Sequence, residues 1–168
     1  MAVSADTMLK AVEHGANTLS LLVYGCTLSD TDTYVKTLRN HGLAVHADRA
    51  GNLTRLGDCL DTAYDFYLVN CDLAGDECRV VLEQLRQASE TTPLLLLTAD
   101  VDAHLALAQE FGARDLFAPS NEQRLQFIMH REVRDLLQRR EAGRLQQRLQ
   151  EAEQRCSTLI HSSRDAIA

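Results

Sequence analysis

Short apolar runs alternate with amphipathic stretches along most of this 168-residue chain. That alternation is the pattern of βα units, in which each strand is buried on both faces and a crossover helix carries the chain back to the same edge of the sheet. The runs fall at 19–24 (LSLLVY), 43–47, 66–69, 94–97 and 116–117. The third and fourth are unbroken hydrophobic segments, which predicts central positions in a parallel sheet. Between the runs, Val35 and Leu38 follow Ser29 and Asp30. In the same way Leu53, Leu56 and Leu60 follow Asn52, and Cys78, Val81, Leu82 and Leu85 follow Asp76. Each set starts near a capping-type residue and spaces its apolar groups three or four apart, as a helix with one buried face requires. His41-Gly42 closes the first helix, and Gly112 closes the short one through Leu105, Ala108 and Phe111. Five such units predict an α/β flavodoxin-like (βα)5 doubly wound parallel sheet, followed by a long C-terminal helix.

At 45% hydrophobic and 24% charged residues, the chain can form one domain with a sizeable core and some extra helix. No apolar run approaches the roughly 20 residues that cross a bilayer. Residues 1–18, read as an N-terminal extension, lack a basic segment followed by a hydrophobic one. Neither export nor membrane insertion is expected. The five cysteines, Cys26, Cys59, Cys71, Cys78 and Cys156, are odd in number and contain no CxxC pair. They read as buried free thiols in a reducing, cytoplasmic setting. Residues 1–120 hold 8 Lys/Arg against 17 Asp/Glu, and residues 121–168 hold 9 against 7. An acidic globule with a mildly basic tail is poorly suited to nucleic acid. The histidines never form HExxH or a zinc-finger spacing with cysteines, and GxGxxG, GxxxxGK[ST] and GxSxG are absent. No metal, cofactor or catalytic residue is assigned.

In a doubly wound sheet the loops at the carboxyl ends of the strands form the site. Here these are Gly25-Cys26, the segment from Asn70 to Gly75, the segment from Thr98 to Asp102, and Ala118-Pro119. Tyr64-Asp65 leads to Asn70, Leu97-Thr98-Ala99 ends the fourth run, and Gly112-Ala113-Arg114-Asp115 precedes Leu116-Phe117-Ala118-Pro119. Over about residues 19–137 this resembles the response-regulator receiver (CheY-like) family. That family has an acidic pair after the first strand, a phosphate-accepting Asp after the third, Ser/Thr-Ala after the fourth, and Lys-Pro after the fifth.

The resemblance implies a degenerate phosphorylation pocket made by Gly25, Cys26, Asn70, Thr98 and Ala118. Mg²⁺ is normally held by carboxylates together with phosphate oxygens, and Gly25 and Cys26 supply none. Asn70 is an amide without an ionised oxygen, hence a poor nucleophile. Ala118 cannot pair with phosphoryl oxygens as the family lysine does. Only Thr98 keeps the expected hydroxyl. One alternative is a phosphorylatable switch that uses a displaced acid among Asp30, Asp32, Asp72, Asp100 and Asp102. The plainer reading makes Asp30 and Asp102 helix caps and leaves Asp72 and Asp76 in a solvated turn. A second alternative is a small flavodoxin-like redox or enzymatic module using Cys71, which has no near partner cysteine in sequence.

From Asn121 onward nearly every residue is a good helix former, which predicts a helix over 121–161 of about 60 Å. Its first part, with Leu125, Ile128, Met129, Val133, Leu136 and Leu137, has a broad apolar face suited to covering the sheet. Its second part carries a narrow seam of Leu145, Leu149, Ala152, Cys156 and Leu159, spaced four, three, four and three as in a short coiled coil. Gly143 lies where the two stripes change register, so a joint is expected there. The seam predicts a parallel homodimer, marginal by the coil alone with only about two heptads, and the alternative is that the seam folds back on its own domain. The domain plan is therefore a receiver-like domain at 19–137, a helical coiled-coil linker at 138–160, and at 161–168 a stretch resembling the start of a PAS domain. A receiver-like domain, a coiled linker and a PAS start together resemble the FimX type of bacterial regulator. That resemblance implies degenerate GGDEF and EAL domains further on, cyclic-di-GMP sensing that controls type IV pili and twitching motility, and the pilus-assembly machinery as partner. Receivers usually carry output on the face made by the fourth helix, fifth strand and fifth helix. Here that face would run over 103–127, with Phe111, Leu116 and Phe127 as candidate contacts, each read first as a core residue.

Overall fold

The computed structural model describes residues 18–167. The N-terminal extension lies outside them except for Thr18, as does Ala168. Two compact units are present, one ending at Met129 and the other beginning at His130.

Among the described residues the first unit has five strands, β1 (Leu19–Tyr24), β2 (Val45–Ala50), β3 (Phe66–Asn70), β4 (Leu94–Leu97) and β5 (Asp115–Phe117), in one sheet of order β2-β1-β3-β4-β5. Every pairing is parallel. The apolar runs 66–69 and 94–97 do occupy interior positions. The second strand lies further along than its apolar run suggested. Leu43 N–H bonds to Leu38 O at 3.0 Å and so belongs to the turn that closes the first helix, whereas Val45 pairs with Leu19 and Ala50 with Tyr24. β2 is an edge strand, and its middle residues His46, Asp48 and Arg49 are at least partly exposed, so it carries no continuous hydrophobic signal.

The helices are α1 (Leu28–Asn40), α2 (Leu53–Cys59), α3 (Glu77–Ala88), α4 (Val101–Glu110) and α5 (Glu122–Ile167). Two caps differ from the sequence reading. Thr27, not Asp30, is the N-cap of α1: its Oγ1 accepts from Asp30 N–H, while its hydroxyl donates to Asp30 Oδ2 at 2.6 Å. The acid in the third helical position thus engages the capping hydroxyl itself. Asp100, not Asp102, caps α4 by accepting from Ala103 N–H. Asn52 caps α2 as predicted, and Asp76 stands at the N-cap of α3 without bonding to the helix through its side chain. Arg86 binds the ends of these elements together, donating to the carbonyls of Phe111 and Gly112 after α4 and of Glu90 and Thr92 before β4.

Strand residues alternate between two buried faces. Leu22, Tyr24, Tyr67, Val69, Leu94 and Leu96 pack with Leu56 and Cys59 of α2, Cys78, Val81, Leu82 and Leu85 of α3, and Ala108 of α4. The alternate positions, Leu21, Val23, Phe66, Leu68, Leu95 and Leu97, are also buried, as are Tyr34, Val35 and Leu38 of α1 and Leu125, Ile128 and Met129 at the start of α5. In the second unit α5 continues through Gly143 to Ile167 without the joint expected there. Good helix formers on both sides absorb the cost of one glycine, about 1 kcal/mol against alanine. Leu145, Leu149, Ala152, Cys156 and Leu159 are all exposed on this helix. The stretch 161–167 is helical.

Candidate functional site

Parallel register brings the ends of β1, β3, β4 and β5 to one edge. Tyr24 pairs with Val69, Asn70 with Leu97, and Leu97 with Phe117. Gly25, Asn70, Thr98 and Ala118 therefore sit at the carboxyl ends of four neighbouring strands. Cys71 N–H donates to Leu97 O at 2.7 Å and Thr98 N–H to Phe117 O at 3.0 Å, so the loops start from a firmly bonded edge.

Gly25 and Asn70 are fitted to each other. Gly25 has φ +73°, where a residue with a Cβ is strained. A Cβ there would stand 3.1 Å from Leu73 Cδ2 and 3.2 Å from Asn70 O. The space in which an acidic side chain would begin is already taken by Leu73 and by β3 backbone. The Asn70 amide has its orientation set by its partners: Nδ2 donates to Gly25 O at 3.3 Å, and Oδ1 accepts from Asp72 N–H at 3.0 Å. An ionised Asp in the same conformation would set a lone pair against the Gly25 carbonyl, with no proton to share. The site suits an amide.

Asp72 is exposed in the loop after β3, as read from sequence, and also bridges two loops. Its Oδ1 accepts from the Thr98 hydroxyl at 2.6 Å, and its Oδ2 accepts from Ala99 N–H at 2.7 Å. Thr98 has no exposed surface. With its one proton directed to Asp72, its oxygen accepts from Asp100 N–H at 3.1 Å and from His104 Nδ1, 2.9 Å away. Nδ1 also lies 3.1 Å from Asp100 O, an acceptor only, so the proton of this ring nitrogen is assigned to Nδ1. The chain Asp72–Thr98–His104 ties the β3 and β4 loops to α4. Sequence reasoning placed Thr98 in the pocket and missed His104 as its partner and Ala99 N–H as a partner of Asp72. The available signal was the Asn-x-Asp spacing, which lets the first side chain bond the backbone two residues on.

The other pocket positions contribute differently. Cys26 is buried, and its carbonyl accepts from Arg49 at 3.1 Å. Burial, with a smaller push from Asp30, raises its thiol to about 12 despite the opposing pull of Arg49. Ala118 is half-buried and accepts from Asn121 N–H through its carbonyl. Cys71 has no near partner cysteine in sequence, but Cys78, the second residue of α3, is buried in the same core and acts on its thiol through a hydrogen bond. That bond and burial hold the Cys71 proton and raise its pKa, while the same bond lowers that of Cys78. Among the described residues no three His, Cys, Asp or Glu side chains converge as a metal site, and no helix is long and apolar enough to cross a membrane.

On the face built from α4, β5 and the start of α5, Phe127 is 69% exposed, whereas Leu116 is buried and Phe111 packs against the core. Val101 and Leu105 of α4 are also exposed. They line an open groove of about 480 Å³ together with Leu116 and Arg124.

No protein-family model matches this chain, and no curated protein matches it. Solved structures do match. A putative response regulator from Chloroflexus aurantiacus is 23% identical, with a TM-score of 0.57 over 68% of this chain and 97% of that one. The N-terminal domain of a response regulator/sensory box/GGDEF three-domain protein from Carboxydothermus hydrogenoformans is 18% identical, with a TM-score of 0.59 over 71% and 98%. The REC domain of AraT, a response regulator from Geobacillus stearothermophilus, is 14% identical, with a TM-score of 0.61 over 73% and 98%. At these identities the likeness is one of fold. The chain has the flavodoxin-like fold of CheY-type receiver domains, with a long C-terminal helix added.

Proposed function

We propose that this is a non-phosphorylatable receiver-like domain of a multidomain bacterial signalling protein, a binding module and not an enzyme, acting in dimerisation, localisation or partner docking. The observation that carries the reading is the mutual fit of Gly25 and Asn70. The nucleophilic position holds an amide bonded on both sides, and the position opposite has neither a carboxylate nor room for one. Phosphoryl transfer to a side chain needs an activated oxygen nucleophile, and the Asn70 amide supplies none. Asp72 is the nearest displaced acid, and both its oxygens are engaged by Thr98 and Ala99. The test is fluorine NMR of the full chain with beryllofluoride and Mg²⁺, together with mass spectrometry after acetyl phosphate. No bound fluoroberyllate and no added phosphoryl mass are expected; either adduct at residue 70 or 72 overturns the reading.

The self-association partner is a second copy of the chain, paired through Leu145, Leu149, Ala152, Cys156 and Leu159. These occupy alternating a and d positions over two heptads and are exposed. Three exposed leucines per chain at about 1–2 kcal/mol each are set against an association cost of about 4–15 kcal/mol, which makes for a weak dimer unless other surfaces help. Phe127 and the α4 groove are the surfaces available for that help or for another protein. The resemblance to the FimX type extends the proposal to a cytoplasmic regulator in which a PAS domain follows at 161–168 and later domains sense cyclic-di-GMP. The docking partner would then belong to the pilus-assembly machinery. No residue of this chain is assigned to the nucleotide.

A further inference from the structure

We infer that the Asp72 carboxylate is the resident ligand of an oxyanion site formed by the Thr98 hydroxyl and the Ala99 N–H, filling it from within the chain against phosphate or carboxylate from solution. The inference rests on the receiver-like reading only in taking the pocket to receive no phosphoryl group from a donor.

Two donors converge at the carboxyl end of β4, one a side-chain hydroxyl and the other a backbone amide. Each meets a different oxygen of one carboxylate, at 2.6 and 2.7 Å. Those lengths belong to charge-assisted bonds. The hydroxyl is held in its donating direction because its own oxygen already accepts from Asp100 N–H and His104 Nδ1–H. The carboxylate is held in turn, since Asp72 N–H is bonded to Asn70 Oδ1. Asn70 and Asp72 thus work together: the amide fixes a turn that delivers the acid two residues later. Such a cradle favours any oxyanion with two adjacent oxygens, and an intramolecular one has the advantage of high effective concentration. Removing the Asp72 side chain should leave the donors in place and open the site.

The experiment compares the ¹⁵N-labelled full chain with Asp72→Ala, titrating each with inorganic phosphate and with sodium acetate at constant ionic strength, with chloride as reference. Saturable shifts of the Ala99 and Asp100 amides are expected in Asp72→Ala and not in the wild type. Hydrogen exchange at the Ala99 amide should quicken by about tenfold in the variant, the equivalent of one charge-assisted bond, and slow again when acetate is added. The proposal is overturned if the wild type binds phosphate at those amides as the variant does, if a folded Asp72→Ala binds neither anion, or if its Ala99 exchange is unchanged. Asp72→Asn covers a failure of the alanine variant to fold. It keeps side-chain volume but loses the charge, so faster Ala99 exchange supports the proposal and wild-type exchange overturns it. A beryllofluoride adduct at residue 70 with Ala99 still protected would defeat the functional reading and leave this inference standing.

Discussion

Gly25→Ala is the substitution on which the account of the pocket depends most directly. Its cost has two parts. At φ +73° a Cβ meets its own backbone, which costs about 1–2 kcal/mol. The new methyl also meets Leu73 Cδ2 at 3.1 Å and Asn70 O at 3.2 Å. Leu73 can turn aside, but Asn70 O belongs to the end of a central strand and cannot, so overpacking adds about 1–3 kcal/mol. The variant is expected to lose about 2–5 kcal/mol, measured as a lower midpoint in urea at unchanged m-value, or as a fall in Tm of roughly 2–4 °C per kcal/mol. Gly57→Ala is the internal control. It lies in α2 with open space where its Cβ would go, and its φ is not positive. The same chemical change should there stabilise by about 0.5–1 kcal/mol. If Gly25→Ala falls within about 0.5 kcal/mol of wild type, a range typical of featureless surface changes, the claim that this position has no room for a side chain is wrong.

Four further outcomes are expected. Asn70→Asp alone should yield no beryllofluoride adduct with Mg²⁺ in fluorine NMR, because Gly25 and Cys26 supply no carboxylate to share the metal with it and both oxygens of Asp72 are engaged by Thr98 and Ala99. Ending the chain at Arg139, or replacing Leu149 with Asp, should abolish concentration-dependent dimerisation in sedimentation equilibrium while leaving the circular dichroism of the receiver-like domain intact. Of the five cysteines only Cys156 is exposed, so a thiol reagent should label one cysteine quickly in the native chain and five in denaturant; rapid labelling of Cys71 or Cys78 would favour the redox reading. Burial raises the pKa values of Cys26, Tyr24, Tyr34 and Tyr64. The folded state then holds protons that the unfolded chain releases, and stability should be full below about pH 9 and fall above it by up to about 1.4 kcal/mol per pH unit for each group, read from urea midpoints across pH 8–11.

The parts of the fold that sequence made legible are those whose burial leaves an apolar signature. The runs 66–69 and 94–97 are buried on both faces and were readable as central strands, and the spacing of Val81, Leu82 and Leu85 marked α3. The edge strand β2 was displaced in the reading because half of it faces water, so Leu43, a residue of the closing turn, gave the stronger signal. Helix starts were misjudged where several acids and hydroxyls compete. At 27–30 and again at 100–102 the capping role falls to the residue whose backbone is extended, and that depends on the chain path. Within the pocket, the identity of each residue could be read but not its contacts. Asp72 bonds to a side chain and an amide 26 and 27 residues away, and Cys71 meets a thiol across the start of a helix. Neither pairing leaves a local pattern.

The residues of this pocket support one another. Asn70 can bond Gly25 O only as an amide. Gly25 can approach Asn70 so closely only without a Cβ. The turn fixed by Asn70 Oδ1 delivers Asp72 to donors that would otherwise face solvent anions. An acid placed at any one position is opposed by the others: at position 70 it meets a carbonyl, at position 25 it meets strand backbone, and both compete with the fixed charge of Asp72. Such coupling predicts strong non-additivity among these sites. In a double-mutant cycle of Asn70→Asp and Asp72→Ala, the pair should cost less stability than the two single changes added together, because removing the Asp72 carboxylate relieves the repulsion that a new carboxylate at position 70 would meet. Strict additivity would mean that the residues merely lie side by side.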